Sequence, residues 1–148
     1  MFRRILIATD GSALSGNAIK TGVEVAKLAR ATVVGIHARP PMGVTLYGEA
    51  SIMVPPETEA AYKARVKAVS DKYLAEIEAA ARKSDVRFER VDVEDASPAD
   101  AILRTAQAQD CDLIVMASHG RRGLSLVLMG SETIKVLTHA TQPVLVTR

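Results

Sequence analysis

Five short apolar runs are separated by stretches long enough to carry a helix, and this alternation constrains the fold of the chain more than any other feature. The runs are Arg3 to Thr9, Ala31 to Ala38, Asp85 to Glu94, Asp112 to Ala117 and Pro143 to Thr147. Between the first two, Leu14, Ala18, Gly22, Val25, Ala26 and Ala29 recur at helical spacing behind the turn Asp10-Gly11-Ser12. Tyr62, Val66, Val69, Tyr73, Ile77 and Ala80 form one stripe of a second helix that ends near Lys83. Ser97-Pro98 reads as an N-cap and first turn of a third helix ending near Gln109, and a fourth is expected from about Ser131 to Ala140. The order βαβαβαβαβ predicts a single α/β domain over residues 1–148, with a five-stranded parallel sheet covered by helices on both faces and right-handed crossovers. Asp85 to Glu94, with its imperfect alternation, reads as an edge strand.

In an open sheet of this kind, ligands bind at the carboxyl ends of the strands, where the winding direction reverses. If the first and fourth strands are neighbours there, Asp10 shares a crevice with the segment Met116-Ala117-Ser118-His119-Gly120-Arg121-Arg122-Gly123. That glycine-rich bend leads to Gly130-Ser131-Glu132-Thr133 at the start of the fourth helix. A strand, a glycine bend and a helix N-terminus gather main-chain N–H groups and the positive end of a helix dipole, which together can hold a phosphate. The bend is not a Walker A loop, having no lysine after its second glycine, and its spacing does not fit G-x-G-x-x-G. A second irregular segment, Arg39 to Glu57, carries four prolines and two glycines; it is expected to be either a lid over the site or a disordered loop.

Composition excludes several classes. The 19 basic and 17 acidic residues leave a net charge of +2 with no dense basic block, and the five aromatic residues are too few for a base-stacking platform, so no nucleic acid is expected as partner. The apolar stretch after Arg3-Arg4 is cut by Thr9-Asp10 before a signal peptide would be complete, and no run is long enough to cross a bilayer. The lone Cys111 beside an apolar strand suits a buried, inert thiol and a reducing compartment, so a cytoplasmic protein without membrane contact is expected. His37 and His139 have no partners at ligand spacing, and no metal site is expected. Neither a nucleophile elbow nor paired catalytic carboxylates occur, so no catalytic residue is assigned.

The spacing of the bend resembles that of the universal stress protein family, whose nucleotide-binding members carry glycine, two residues, glycine, nine residues, glycine, then serine or threonine. Those positions fall here on Ala117, Gly120, Gly130 and Ser131, with alanine in place of the first glycine. The opening strand ending in Asp10-Gly11-Ser12 and the closing proline and valine-rich strand, Pro143 to Thr147, extend the resemblance over the whole chain. It implies a doubly wound sheet in the order 3-2-1-4-5 and a site for ATP, ADP or AMP, with or without Mg²⁺. By that analogy Asp10, with Ala8 and Thr9, meets the ribose or base, and Ala38 lines the adenine pocket. Gly120, Gly130, Ser131 and Thr133 take the phosphates, and Met116, Ala117, His119 and Glu132 are expected to belong to the same site. The resemblance further implies a stress-response protein in which nucleotide occupancy is regulatory, with slow ATP hydrolysis as the most turnover to expect. A nucleotide-independent dimeric interaction protein is the alternative.

Several of these residues have a second reading. Asp10 suits an N-cap or turn as well as a ribose contact, and the Ser131 hydroxyl can cap the fourth helix or touch a phosphate. Arg121 and Arg122 add charge-assisted bonds to phosphate or are solvated loop residues. His119 is an acid or base, or a packing residue. At Ala117 the sign of φ decides: a negative φ makes alanine harmless, and a positive one strains the bend. The uncharged last strand would be an exposed edge in a monomer, which predicts a homodimer through Pro143 to Thr147, as the resemblance also implies.

Overall fold

The chain folds as β1 (Arg4–Ala8), α1 (Ala13–Ala29), β2 (Thr32–Arg39), α2 (Glu59–Lys83), β3 (Phe88–Glu94), α3 (Pro98–Ala108), β4 (Leu113–Ala117), α4 (Ser131–His139) and β5 (Val144–Thr147). The computed structural model describes residues 1–42, 58–119 and 129–148. All five strands are parallel and form one sheet in the order β3-β2-β1-β4-β5, as expected. β1 and β4 are central and buried on both faces, which is why their sequences read as continuous apolar runs.

Alternation along the strands divides the core in two. Ile5, Ile7, Leu113, Val115 and Ala117 pack with Ala18, Ile19, Val23 and Ala26 of α1 and with Leu74, Ile77 and Ala81 of α2. Leu6, Val34, Ile36, Ile114 and Met116 point the other way, onto Ala99, Ile102 and Ala106 of α3 and Val136 of α4. Three of the helix N-termini are capped by a side chain. Ser12 caps α1, Thr58 caps α2 and Ser97 caps α3, each accepting a main-chain N–H through its hydroxyl, and Pro98 opens α3 as expected.

Two expectations are corrected. The stripe of α2 is rotated: Val66, Ser70, Leu74, Ile77 and Ala81 are buried, whereas Val69 is 36% exposed and Tyr62, Tyr73 and Ala80 are only half-buried. The reason is polar: Ser70 turns inward because its hydroxyl donates to Asp92 Oδ1 (2.9 Å), a carboxylate that also pairs with Arg39 Nε (2.6 Å). The third strand begins at Phe88 and not at Asp85. Asp85 takes a left-handed φ of 56°, and the Val86 N–H bonds back to the Ala81 carbonyl (2.9 Å), so these residues end α2 before the strand starts. Tyr47 and Met53 of the expected lid lie outside the described residues; the Tyr62 hydroxyl donates to the carbonyls of Pro40 (2.8 Å) and Pro41 (3.2 Å), tying the segment that follows β2 to α2.

Candidate functional site

β1 and β4 run side by side with Ile7 opposite Val115, and from their carboxyl ends the chain departs to opposite faces, to α1 on one side and α4 on the other. This is the switch point at which an open parallel sheet forms a crevice. Ala8, Ala38 and Met116, at the ends of β1, β2 and β4, lie together on the α3 and α4 side of the sheet. The topology thus brings together three of the expected pocket residues that are far apart in sequence.

The turn after β1 is tightly determined. Gly11 has φ +74°, a conformation costly for any residue with a Cβ. Its N–H donates to Thr9 Oγ1 (3.2 Å), and the Ser12 N–H donates to Asp10 Oδ1 (3.0 Å). Thr9 is buried and its hydroxyl also meets Ser15 Oγ (3.1 Å), so its side chain organises the turn. Asp10 therefore has the turn role, and the N-cap is Ser12.

Around β4 and α4 the chain leaves and returns through a narrow neck. The Gly130 N–H donates to the Ser118 carbonyl (2.8 Å), and Thr133 Oγ1 donates to the carbonyls of Ala117 (3.0 Å) and Ser118 (3.2 Å). Gly130 has φ −64°, outside the left-handed region. What favours glycine here is close approach: a Cβ would stand 3.3 Å from both His119 Cα and the Ser118 carbonyl oxygen. Ala117 is an ordinary strand residue, not among those with positive φ, and its methyl packs into the core against the α1 face. The alanine at the first motif position consequently introduces no strain into the bend.

Three side chains, those of Ser131, Glu132 and Thr133, stand at the start of α4. Ser131 is the first residue of α4 and is exposed; the N-cap is Gly130, which has no side chain to offer, and no side-chain cap occurs among the described residues, so Ser131 does not have the capping role. The Thr133 hydroxyl is committed to β4, leaving only its main chain for a ligand. Glu132 Oε2 accepts the Ala99 N–H at the start of α3 (2.9 Å) and Oε1 accepts from Lys135 (2.9 Å), so this carboxylate joins two helix N-termini. His119 is buried; Nδ1 lies 3.1 Å from Ser118 Oγ, and Nε2 has no hydrogen-bond partner among the described residues. Gly120, Arg121 and Arg122 lie outside the described residues. Sequence reasoning missed Glu132 as the cap of α3 and Tyr73 as the residue packed on Gly11, because both contacts cross between elements.

A separate cavity of about 170 Å³, lined by Leu103, Arg104, Gln107, His139, Thr141 and Gln142, lies at the other end of α4. There the helix presents carbonyls, which disfavour an anion. No group of three or more His, Cys, Asp or Glu able to hold a metal occurs among the described residues, nor does a helix long and apolar enough to cross a membrane.

An open parallel sheet with its crevice at the β1/β4 reversal and helices on both faces defines a doubly wound α/β protein. The model of the universal stress protein family matches residues 1–148, and the chain belongs to that family. The universal stress protein YxiE of Bacillus subtilis is 32% identical over 149 residues, with both chains covered completely. A universal stress protein of Thermus aquaticus is 33% identical over 148 residues, again with both covered completely. Among solved structures, protein MJ0577 of Methanocaldococcus jannaschii superposes with a TM-score of 0.82 at 24% identity, covering 99% of this chain and 96% of the other. A universal stress protein of Archaeoglobus fulgidus in complex with dAMP gives 0.71 at 20% identity, covering 99% and 98%. A universal stress protein in complex with cAMP gives 0.69 at 22% identity, covering 98% and 95%.

Proposed function

We propose that this universal stress protein binds an adenine nucleotide, ATP, ADP or AMP, in the crevice between the β1 turn and the N-terminus of α4, and that occupancy regulates its interaction with other proteins in the cytoplasm. The observation that carries this reading is the N-terminus of α4, capped by no side chain among the described residues, which meets the carboxyl end of β4 through the bond from the Gly130 N–H to the Ser118 carbonyl (2.8 Å). Main-chain N–H groups at such an end are ready partners for phosphate oxygens. Ala8, Ala38 and Met116 offer an apolar wall for the base, Asp10 lies at the opposite rim, and the buried His119 Nε2 is a polar atom that a ligand would satisfy. The related structures that hold dAMP and cAMP support the same ligand class. Mg²⁺, where it takes part, enters with the phosphates.

Equilibrium titration with labelled ATP, ADP and AMP, with and without Mg²⁺, tests the reading. Saturable binding below millimolar concentration is expected for at least one, and its absence for all three overturns the proposal. Slow hydrolysis is the limit of the activity expected; turnover that survives His119→Ala removes that residue as a base.

Self-association through β5 belongs to the same proposal. β5 is a sheet edge, and the carbonyls of Pro143 and Thr147 face β4 through their bonds to the N–H groups of Ile114 (3.0 Å) and Ser118 (2.8 Å). By strand alternation the main-chain groups of Val144 and Val146 face outward, open to a second copy.

A further inference from the structure

Gly11 is closed in from the side by an element that takes no part in the β1 turn. A Cβ on Gly11 would fall 2.1 Å from Tyr73 Cε1, 2.3 Å from Cζ and 2.5 Å from Cδ1, so the ring of Tyr73, halfway along α2, is packed against the glycine. The same ring meets His37 of β2 edge-on, with centroids 5.2 Å apart and planes at 80°. Tyr73 thus stands between the ends of β1 and β2 on the α2 side of the sheet, behind the strand ends whose other side carries Ala8 and Ala38. The turn it touches is the one that places Asp10, through the bond from the Ser12 N–H to Asp10 Oδ1.

We infer that Tyr73 is a positioning residue for the nucleotide site: its ring presses on Gly11 and fixes where the Asp10 carboxylate stands. The inference rests on the nucleotide reading above. Physically, a turn held by its own short hydrogen bonds can shift as a unit, whereas a ring packed on both the glycine and His37 fixes it relative to β2. Gly11 is called for by its φ of +74°, and the space a Cβ would take is filled by a ring that comes from α2.

The experiment compares Tyr73→Phe and Tyr73→Leu with the wild type for adenine-nucleotide affinity and for thermal stability. Phe keeps the ring and should bind more tightly than Leu. Leu should bind about tenfold more weakly at a temperature where it remains folded, roughly what losing one hydrogen bond from a charged acceptor costs. Equal affinity of a folded Tyr73→Leu overturns the inference; a wild type that binds no nucleotide sinks the reading on which it rests. Should Tyr73→Leu fail to fold, wild-type NMR decides. Ring-shifted Gly11 α-protons, together with nucleotide-induced changes in both the Tyr73 ring and the Asp10 amide, support the inference. Unshifted Gly11 protons, or a Tyr73 ring that ignores a nucleotide that moves Asp10, overturn it.

Discussion

At position 117 the alanine that departs from the family pattern sits in a strand with its methyl in the core, so restoring glycine should harm the protein. Ala117→Gly is expected to lower stability by about 1 kcal/mol in urea unfolding while leaving nucleotide affinity unchanged, because glycine gains unfolded-state entropy and a packed methyl is lost. Gly130→Ala should act in the opposite sense on the site: its φ suits alanine, but the Cβ presses on two main-chain atoms, and a cost of about 1–3 kcal/mol with weakened nucleotide binding is expected. Cys111 is buried, and burial pushes its thiol up to about 11. Between the ordinary thiol range and that value the unfolded chain gives up its proton and the folded one keeps it, so stability contributed by the neutral thiol is full below that window and falls as pH rises through it. The thiol should resist a disulfide reagent at pH 8 in the native protein and react once the chain is unfolded.

At the scale of elements, α2 separates pattern from packing. Its buried line runs through Leu74, fully enclosed, while Val69 lies 36% exposed. Leu74→Ala should cost about 2–5 kcal/mol, and Val69→Ala should stay within about 0.5 kcal/mol, as chemical denaturation of both variants would show. A stripe read from apolar residues alone selects the wrong one of these two, since it has no means of knowing that Ser70 is drawn inward by Asp92 and Arg39. α4 gives the complementary case. From sequence, Ser131 after Gly130 looks like a cap; in the fold, Thr133 reaches back to two carbonyls at the end of β4, and the helix starts one residue earlier than a serine cap would set it. The helix end left without a side-chain cap is the feature on which the nucleotide proposal depends.

For the whole molecule, the sheet ends in two unlike edges. β3 carries Glu89, Arg90, Asp92 and Glu94, and its charges are engaged with Arg4, Asp71, Glu78 and Arg39, whereas β5 is uncharged. Charged edges resist pairing, and β5 is therefore the edge expected to join two copies. Val144 and Val146 also pack on the core beneath α3 and α4, so replacing them with lysine would damage folding as well as assembly. Val146→Pro is the cleaner test: it removes an outward N–H and leaves the bonds to β4 intact. Sedimentation should then show monomers at concentrations where the wild type is dimeric; an unchanged dimer would move the interface elsewhere.

The sequence by itself determined the class of fold, because strands buried on both faces must be apolar throughout and their spacing left room only for helical crossovers, as the observed order β3-β2-β1-β4-β5 bears out. It also placed Asp10 and Gly130 at the two turns beside the sheet reversal, since glycine and short polar residues are needed wherever the chain bends tightly. What only the tertiary structure decided are the contacts between elements: Tyr73 on Gly11, Glu132 on the start of α3, Thr133 on β4, and the direction of the Ala117 methyl. Local pattern records which way a residue faces relative to its own helix or strand. Which neighbour it meets there depends on how separate elements are set against one another, and that is fixed by the packing of the whole.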